Sequence, residues 1–567
     1  MESGRGAEPD DYAALVERGF AALAASRLRS ALAIVVVALV CMLPGFTATP
    51  PVDRDEPNNA IASRQMVESG DLLSIPVPAG VTPARGPAVY WLQAVAVQLF
   101  GGGSSAPIWV YRLPSLVGCI AAALLTWWTA LAFGRPRAAL FAGLALAASV
   151  MVVAEARVAR PDAIILPTVI LAQGALARLW LAFDAERRDW LHIGLFWTAV
   201  AASMAAGGLI GVLIVVLTVI VLSVAARSTR WLRRLAPAAG VVWLLILVAP
   251  WLVATKTVGL GPPFPVGFSG WDAITSFLAR PREFNLPPGF YLVLFFGTFW
   301  PAAAFVGLAG TRIIDDRNRP LILFALGWSV PFWLLCEAAR IKFPDTILPA
   351  YPALALLAGF TVDQGPINLS GRLRRAIAAG PVGVPIVFLV VLPILLFLVD
   401  GTVSWVGVAL LAIATVIGYL AWRQLLAGGA QTALATSLAA AAVLYFGAFG
   451  VMIPSSEGLD ISRRAVMAAT SIAGCPNPEV AGAGYTEPSL RFFAGDSTRF
   501  GSGDNAADFL AAGGCRVAIV EIDANTAFLS RADDIGLGVA ERGRLQGHDF
   551  AEGRPATIIL YTPSDVP

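Results

Sequence analysis

Residues 378 to 399 read AAGPVGVPIVFLVVLPILLFLV, from Ala378 to Val399, and contain no charged side chain. A helix needs about 20 apolar residues to cross the hydrocarbon core of a bilayer, so this stretch is long enough to span a membrane. Of the 567 residues, 57% are hydrophobic and 14% are charged, against about 25% charged in an ordinary soluble domain. The sequence therefore predicts an all-α polytopic membrane protein.

The same length criterion, applied along the chain, predicts about thirteen transmembrane helices. They cover residues 31–49, 111–133, 138–154, 162–182, 190–206, 208–226, 236–255, 289–310, 320–338, 344–361, 378–399, 403–422 and 431–453. No small-residue cleavage site follows the first apolar run, so we expect it to be retained as a helix and not removed as a signal peptide.

The orientation follows from arginine, because cytoplasmic loops retain positive charge. With the N terminus inside, every second loop is basic. The basic loops contain Arg135 and Arg137; Arg187 and Arg188; Arg227, Arg230, Arg233 and Arg234; Arg312, Arg317 and Arg319; Arg372, Arg374 and Arg375. The alternation predicts a cytoplasmic segment 1–30, a transmembrane domain 31–454 with a periplasmic loop 50–110, and a periplasmic tail 455–567.

The tail has the pattern of a small α/β domain. Apolar runs from Val517 to Ile522 and from Thr557 to Tyr561 predict strands, and Ser489 to Ala494 predicts a helix. Cys475 and Cys515 can form a disulfide in an oxidising compartment, and the sequence leaves open whether they do.

The loop just outside the first span carries an acidic stretch, Asp53-Arg54-Asp55-Glu56-Pro57. We expect a helix with Asp55 at its start and Pro57 in its first turn, ending at Gly70, with Arg64 and Glu68 toward water. A functional interpretation makes Asp55 a general base. The alternative is that Asp55 only caps the helix and Glu56 is an acid favoured by the helix dipole.

Two further external turns mix acids and bases. Arg157 and Arg160 are three residues apart, so a helical turn would point both the same way. Such a pair of guanidiniums suits a phosphate; the alternative is that they anchor to lipid headgroups. The second turn contains Glu155, Arg157, Arg160 and Asp162, and the third contains Glu337, Arg340, Lys342 and Asp345.

Several other chemistries lack their residues. The chain has no G-x-S-x-G, H-E-x-x-H or Walker motif, and its only histidines are His192 and His548, which excludes nucleophilic triads and histidine-ligated metals. The net charge of +2 does not indicate a nucleic-acid partner. The three loops favour group transfer to a hydroxyl or amine, with Asp55 as base and a phosphate leaving group stabilised by Arg and Lys. A divalent cation (Mg²⁺, Mn²⁺ or Zn²⁺), held by Asp55 and Asp162, is an additional option.

Six motifs occur in a fixed order along the chain. They are DRDEP (53–57), SRQMVESGD (63–71), GPAVYWLQ (86–93), YRLPS (111–115), ARVARPD (156–162) and KFPDTILPAYP (342–352). Together they resemble bacterial glycosyltransferase family 39, which includes protein O-mannosyltransferases and the lipid A aminoarabinose transferase and has the GT-C membrane fold. The resemblance runs from about residue 30 to 360, with a weaker match at GYTEPS (484–489).

The resemblance implies an inverting transfer of a sugar from a polyprenyl (undecaprenyl) phosphate carrier to lipid A, another envelope glycan or a protein, at the periplasmic face of the inner membrane. It implies Asp55 and Glu56 as the catalytic pair. With the charged loops, it predicts binding of the carrier phosphate or substrate by Arg85, Tyr90, Arg157, Arg160, Asp162, Glu337, Arg340 and Lys342.

The chain departs from the family pattern at three places. It has Arg85-Gly86-Pro87 for Lys-Pro-Pro, Ala205-Ala206-Gly207 for Thr-Lys-Gly, and Phe343-Pro344-Asp345-Thr346 for Leu-Pro-His-Tyr. A catalytically degenerate member is therefore one alternative. A transporter or flippase for polyprenyl-linked lipids is another, but external charges and the lack of a repeated half favour the enzyme. A tail that binds an envelope partner is a third.

Overall fold

The computed structural model describes residues 10–51, 55–73, 75, 86–103, 105–184, 187–257, 286–339, 342–367, 369–549 and 553–564. A helical bundle extends to Ser455, and a small α/β domain follows it. Within the described residues, eight helices are long and apolar enough to cross a membrane, or nine if a bent N-terminal pair counts as one span. The chain is a multi-pass membrane protein, as predicted.

The α-helices of the bundle are α1 (Asp10–Ala24), α2 (Arg27–Met42), α3 (Asp55–Ser69), α4 (Ala88–Ala96), α5 (Ile108–Leu131), α6 (Pro136–Ala147), α7 (Val150–Glu155), α8 (Asp162–Leu181), α9 (Trp190–Gly207), α10 (Ile210–Ala225), α11 (Pro237–Thr257), α12 (Phe290–Thr298), α13 (Ala303–Leu308), α14 (Gly310–Asp315), α15 (Pro320–Ala338), α16 (Tyr351–Asp363), α17 (Arg372–Ala378), α18 (Gly380–Asp400), α19 (Trp405–Leu426) and α20 (Ala430–Tyr445). A 3-10 turn, Pro344–Ala350, leads into α16, and a π-helical turn, Phe446–Met452, extends α20.

Every predicted span contains helix, although α2 ends at Met42 within the first span and two other spans are not continuous. The span predicted at 138–154 divides into α6 and α7, and the one predicted at 289–310 divides into α12 and α13. The two breaks meet, because the N–H of Val150 donates to the carbonyl oxygen of Trp300 at 3.1 Å. Backbone groups freed inside a bundle must find partners within the protein. The expectation of unbroken helices was wrong at these two places.

Glycines allow the closest helix crossings. A Cβ on Gly118 of α5 would overlap the carbonyl of Ala163 in α8, and one on Gly359 of α16 would overlap the carbonyl of Ala138 in α6. Small residues at such crossings let backbones approach each other in membrane bundles. These contacts place the start of α8 against α5.

Helix α16 marks two chemically different ends of the bundle. At its C-terminal end, Asp363 pairs with Arg135 at 3.1 Å and Arg137 at 3.4 Å. Arg312 donates to the carbonyl oxygen of Thr361 at the same end. At its N-terminal end lies the 3-10 turn with Asp345. Two predicted basic loops therefore share one end of the bundle, and the acid-containing turn lies at the other.

The tail forms the predicted α/β domain. Its strands are β1 (Glu479–Ala483), β2 (Arg499–Gly501), β3 (Arg516–Glu521), β4 (Val539–Asp549) and β5 (Arg554–Pro563), and its helices are α21 (Ile461–Ile472), α22 (Pro488–Ala494), α23 (Gly503–Ala511) and α24 (Asn525–Asp534). The sheet order is β2-β1-β3-β5-β4, with β1, β2 and β3 parallel and β5 antiparallel to its neighbours.

Alternation along β3 explains why the sheet is covered on both faces. Val517 and Ile519 pack with α21 and α22, whereas Ala518 and Val520 pack with α23 and α24. Successive side chains of a strand point to opposite faces, so a strand buried on both reads as a continuous apolar run. Cys475 and Cys515 form a disulfide, with 6.1 Å between their Cα atoms.

The α/β domain contacts the bundle through α22 and α3. Arg64 of α3 donates to the carbonyl oxygen of Phe492 at 3.0 Å and pairs with Asp496 at 2.5 Å. The Phe492 ring meets the edge of Tyr111, with centroids 5.8 Å apart. Helix α3 spans the predicted residues and Glu68 is exposed. The prediction that Arg64 faces water was wrong, because the domain buries it.

Candidate active site

A buried ion pair fixes the start of α3. Nε and Nη2 of Arg112 donate to the two carboxylate oxygens of Glu56 at 2.7 and 3.0 Å, and neither side chain is exposed. Arg112 also donates to the carbonyl oxygens of Thr49 at 2.9 Å and Pro50 at 3.1 Å. One guanidinium thus ties α5 both to α3 and to the chain that precedes it. The carboxylate of Glu56 is engaged inside the protein, and its predicted catalytic role stays a prediction.

The backbone of Ala159, which precedes Arg160, is held by hydrogen bonds at both its N–H and its carbonyl oxygen. The N–H of Ala159 donates to Glu56 at 2.9 Å. Its carbonyl oxygen accepts from Asn59 at 3.2 Å and from Gln93 at 3.3 Å. Helices α3 and α4 therefore hold the turn between α7 and α8, which sets the origin of the Arg160 side chain.

Arg160 lies among carboxylates from three parts of the chain. Its guanidinium is 2.9 Å from Asp345, 3.3 Å from Asp55 and 3.7 Å from Glu155. Glu155 and Asp345 are largely buried, whereas the Asp55 side chain is 64% exposed. The three predicted external loops thus converge on one guanidinium, at the end of the bundle where α3 begins.

The carboxylates control the charge state of this site. Burial lowers the pKa of Arg160, but the charges of Glu155, Asp345, Asp162 and Asp55 more than offset it, so the pKa lies above its ordinary value. Arg160 therefore stays protonated. The pKa of Tyr90, on α4, is raised to about 12 by burial and then by the charge of Asp55. Its phenol stays protonated and donates to Asn59 at 3.4 Å.

This arrangement offers two complementary groups to a bound molecule. Asp55 presents an exposed carboxylate that can accept a proton, and Arg160 presents a permanent positive charge beside it. A base next to a fixed cation suits a reaction in which a hydroxyl loses its proton while a phosphate leaves.

An apolar cavity adjoins α4 on the other side. It holds about 470 Å³ and is lined by residues of α9 and α11, among them Ala205, Leu247 and Trp251, together with Trp91 of α4. Tyr90 and Gln93 of the same helix belong to the network around Arg160. Helix α4 therefore separates an apolar cavity from the charged cluster.

The chain is similar in sequence to known glycosyltransferases. The family model of dolichyl-phosphate-mannose-protein mannosyltransferases matches residues 83–253. A protein of Edwardsiella ictaluri named undecaprenyl phosphate-alpha-4-amino-4-deoxy-L-arabinose arabinosyl transferase is 27% identical over an alignment of 374 residues, which covers 63% of this chain and 64% of that protein. A protein of the same name from Pectobacterium atrosepticum is 26% identical over 71% of this chain and 74% of its own. The chain is thus similar in sequence to mannosyltransferases and arabinosyl transferases of the kind that the motifs predicted.

Solved structures show that the chain has the GT-C fold. The crystal structure of ArnT from Cupriavidus metallidurans bound to undecaprenyl phosphate matches with a TM-score of 0.69 and 21% identity, over 93% of this chain and 97% of that one. The apo form of the same protein gives a TM-score of 0.68. The predicted fold is confirmed, and the predicted resemblance is supported by the sequence matches.

Three predicted ligands of the carrier phosphate are engaged within the protein. Arg157 donates to the carbonyl oxygens of Cys41, Pro44 and Val153 and lies over the ring of Phe449. The prediction that Arg157 and Arg160 point the same way was therefore wrong. Glu337 accepts from the N–H groups of Gly289 and Tyr291, and Lys342 donates to the carbonyl oxygens of Leu286 and Ala339. Arg85 and Arg340 lie outside the described residues.

The cation site predicted at Asp55 and Asp162 stays a prediction. Across the described ranges, no group of three His, Cys, Asp or Glu side chains is placed to hold a metal ion. Asp55 lies beside Arg160, and the charge of Asp162 also acts on that guanidinium.

Sequence reasoning missed several residues that build the site. Asp345 and Glu155 appeared as members of charged turns but were not assigned to the site, although both pair with Arg160. Arg112 was overlooked, although a single arginine near the start of an apolar span is costly unless it has a partner. Asn59 and Gln93 carry no such signal, because amides are common in external loops.

Proposed function

We propose that this protein transfers a sugar from a polyprenyl phosphate carrier, undecaprenyl phosphate in the first place, to an acceptor at the periplasmic face, with inversion at the anomeric carbon. Lipid A is the preferred acceptor, ahead of another envelope glycan or a protein. The observation that carries the proposal is the exposed Asp55 carboxylate, 3.3 Å from the Arg160 guanidinium, at the membrane-domain end that the α/β domain covers.

The names of the relatives support the donor. The arabinosyl transferases are named for an undecaprenyl phosphate sugar, and the Cupriavidus metallidurans protein was crystallised with undecaprenyl phosphate. The cavity beside Trp91 and Trp251 is apolar, which suits the isoprenoid part of such a carrier. A carrier in this cavity would bring its phosphate toward α4.

Charge distribution supports the periplasmic orientation. Arg135, Arg137 and Arg312 lie at the end of the bundle opposite to Asp345. Arginine is retained on the cytoplasmic side, so the Asp55 end faces outward. The Cys475–Cys515 disulfide in the α/β domain agrees with this, because disulfides persist in the periplasm and not in the cytosol.

The chemistry is a single displacement. Asp55 accepts the proton of the acceptor hydroxyl while the hydroxyl oxygen forms a bond to the anomeric carbon of the sugar. The bond from that carbon to the phosphate oxygen breaks, and the carrier phosphate leaves with the electron pair. Arg160 stabilises the growing negative charge, an effect typically worth about 10²–10³ in rate. Tyr90 and Gln93 position α4 beside the reacting groups.

We also propose that Arg160, and not a divalent cation, supplies the charge beside Asp55. Asp345 and Glu155 already balance the guanidinium. Transfer should therefore persist after the purified protein is treated with EDTA and desalted. Loss of transfer that Mg²⁺, Mn²⁺ or Zn²⁺ restores would show that a cation completes the site.

The test of function is transfer of radiolabelled sugar from purified undecaprenyl phosphate donors to lipid A in nanodiscs. Asp55→Asn should abolish transfer at equal expression, whereas Glu68→Gln, which removes an exposed acid from the same helix, should not. Release of carrier at an equal rate by wild type and Asp55→Asn would contradict the role of Asp55. Donor that crosses the bilayer uncleaved would instead indicate a flippase.

A further inference from the structure

The α/β domain contains a basic cleft whose lining residues are separate from Asp55 and Arg160. The cleft has a volume of about 630 Å³ and lies beside β2, the edge strand of the sheet, and α23. Its wall includes Arg491 of α22, Arg499 of β2 and Arg516 of β3, with the rings of Phe500 and Phe509 between them. Three guanidiniums from three elements thus surround one space.

The positive charge of the cleft is only partly balanced. Arg516 pairs with Glu479 at 3.2 Å, and the lining acid Asp508 pairs with Arg531 at 2.8 Å. Within the described chain, Arg491 and Arg499 form no ion pair with a carboxylate, and Nε of Arg491 is buried without a hydrogen-bond partner. A buried donor without a partner is costly, so a ligand that accepts from it would be stabilising.

Aromatic rings hold the guanidiniums in place. Arg491 lies over Phe500, with 5.1 Å to the ring centroid, and Arg499 and Arg516 lie over Phe509 at 5.6 and 4.7 Å. A guanidinium stacked on a ring keeps its in-plane N–H groups available for an acceptor. Arginine presents them in a fork that matches phosphate oxygens. The cleft is therefore arranged to receive a phosphate.

We propose that this cleft binds a phosphorylated saccharide and that it captures the acceptor before transfer. The volume lies in the range of ligand-binding pockets, at about 300–1,000 Å³, and exceeds what a bare phosphate fills. The assignment of the ligand as acceptor rests on the proposed function. It commits the acceptor to a class that carries both sugar and phosphate groups.

The position of the cleft suits this role. Arg491 lines it, and the next residue, Phe492, accepts a hydrogen bond from Arg64 of α3. Asp55 begins the same α3, about 14 Å along the helix axis from Arg64 at 1.5 Å per residue. Helix α22 therefore lines the cleft through Arg491 and contacts α3, the helix that carries the proposed base, through Phe492.

The test is calorimetric titration of the full chain in detergent, without donor, using trehalose 6-phosphate, trehalose and inorganic phosphate as probes. We expect trehalose 6-phosphate to bind at least tenfold more tightly than either other probe. Arg491→Gln combined with Arg499→Gln should weaken that binding by about tenfold or more. The matched control is Arg544→Gln, which removes the same charge from β4 at the opposite edge of the sheet. Arg499→Gln alone, at an exposed position, keeps the test informative if the double variant does not fold.

Several outcomes overturn the proposal. If trehalose and trehalose 6-phosphate bind with equal affinity, or if the double variant binds trehalose 6-phosphate as the wild type does, the cleft is not a phosphate site. If inorganic phosphate binds as tightly as trehalose 6-phosphate, the cleft does not recognise the saccharide. In the transfer assay, the double variant should raise KM for lipid A at least tenfold with little change in kcat, and an unchanged KM removes the acceptor role. Retained probe binding with no transfer by wild type would count against the proposed function and not against the cleft.

Discussion

Arg160 and Asp345 form an ion pair, with 2.9 Å between guanidinium and carboxylate, although one belongs to the turn before α8 and the other to the turn before α16. The pair joins two external turns that are distant in the sequence. The pair also places the Arg160 guanidinium next to Asp55, which belongs to a third external loop. The site therefore depends on helix packing and not on any one motif.

Replacement of Arg160 by Gln should lower the transfer rate by about 10²-fold or more, because the leaving phosphate loses its cation and the carboxylates around it repel each other. Turnover would be measured with saturating donor and acceptor. Arg319→Gln is a fair comparison, since it removes an arginine paired with Asp316 at 2.8 Å in a predicted cytoplasmic loop. Wild-type turnover in Arg160→Gln would remove this residue from the mechanism.

Glu56 and Asp55 are neighbours, but their substitutions should have different effects on stability and on transfer. Glu56→Gln leaves the Arg112 guanidinium buried without its ion-pair partner and should lower the free energy of unfolding by about 3–5 kcal/mol. Asp55→Asn changes an exposed side chain and should abolish transfer with little change in that free energy. Both quantities can be measured in detergent, with SDS as denaturant. Equal loss of stability in the two variants would contradict the separation of roles.

The sequence predicted most of the fold because its signals are local. Apolar length located every span, and the apolar run at β3 located a strand buried on both faces. The breaks at α6/α7 and α12/α13 could not be found in this way, since the hydrogen bond from Val150 to Trp300 joins distant residues. Continuous hydrophobicity does not distinguish a straight helix from two short ones.

The site was predicted only in part. The charged loops indicated that Asp55 and Arg160 lie on the same side, and the two side chains are 3.3 Å apart. Residue type and spacing could not tell that Arg157 is held by three carbonyl groups or that Lys342 is held by two. In a membrane protein, an arginine near a helix end can bind a ligand or satisfy backbone carbonyls, and only the packed structure separates these uses.

Tyr90 gives an expected dependence on pH. Its pKa is raised from 10.0 to about 12, by burial and then by Asp55. The folded state therefore favours the neutral phenol, so this contribution to stability is complete below about pH 10 and is lost as pH rises toward 12. The difference in unfolding free energy between wild type and Tyr90→Phe should fall across that window. A difference that stays constant from pH 9 to 12 would show that the phenol titrates normally in the folded protein.

The contact between Arg64 and Asp496 should hold the α/β domain on α3. Asp496→Asn weakens the pair and leaves the largely buried guanidinium with the carbonyl oxygen of Phe492, at a cost of about 1–3 kcal/mol. We expect faster hydrogen exchange in α3 and α22 and a rise in KM for the acceptor. Glu541→Gln, which breaks an exposed pair with Arg544 inside the same domain, should change neither. Unaltered exchange in α3 of Asp496→Asn would mean that other contacts, such as that between Phe492 and Tyr111, hold the domain in place.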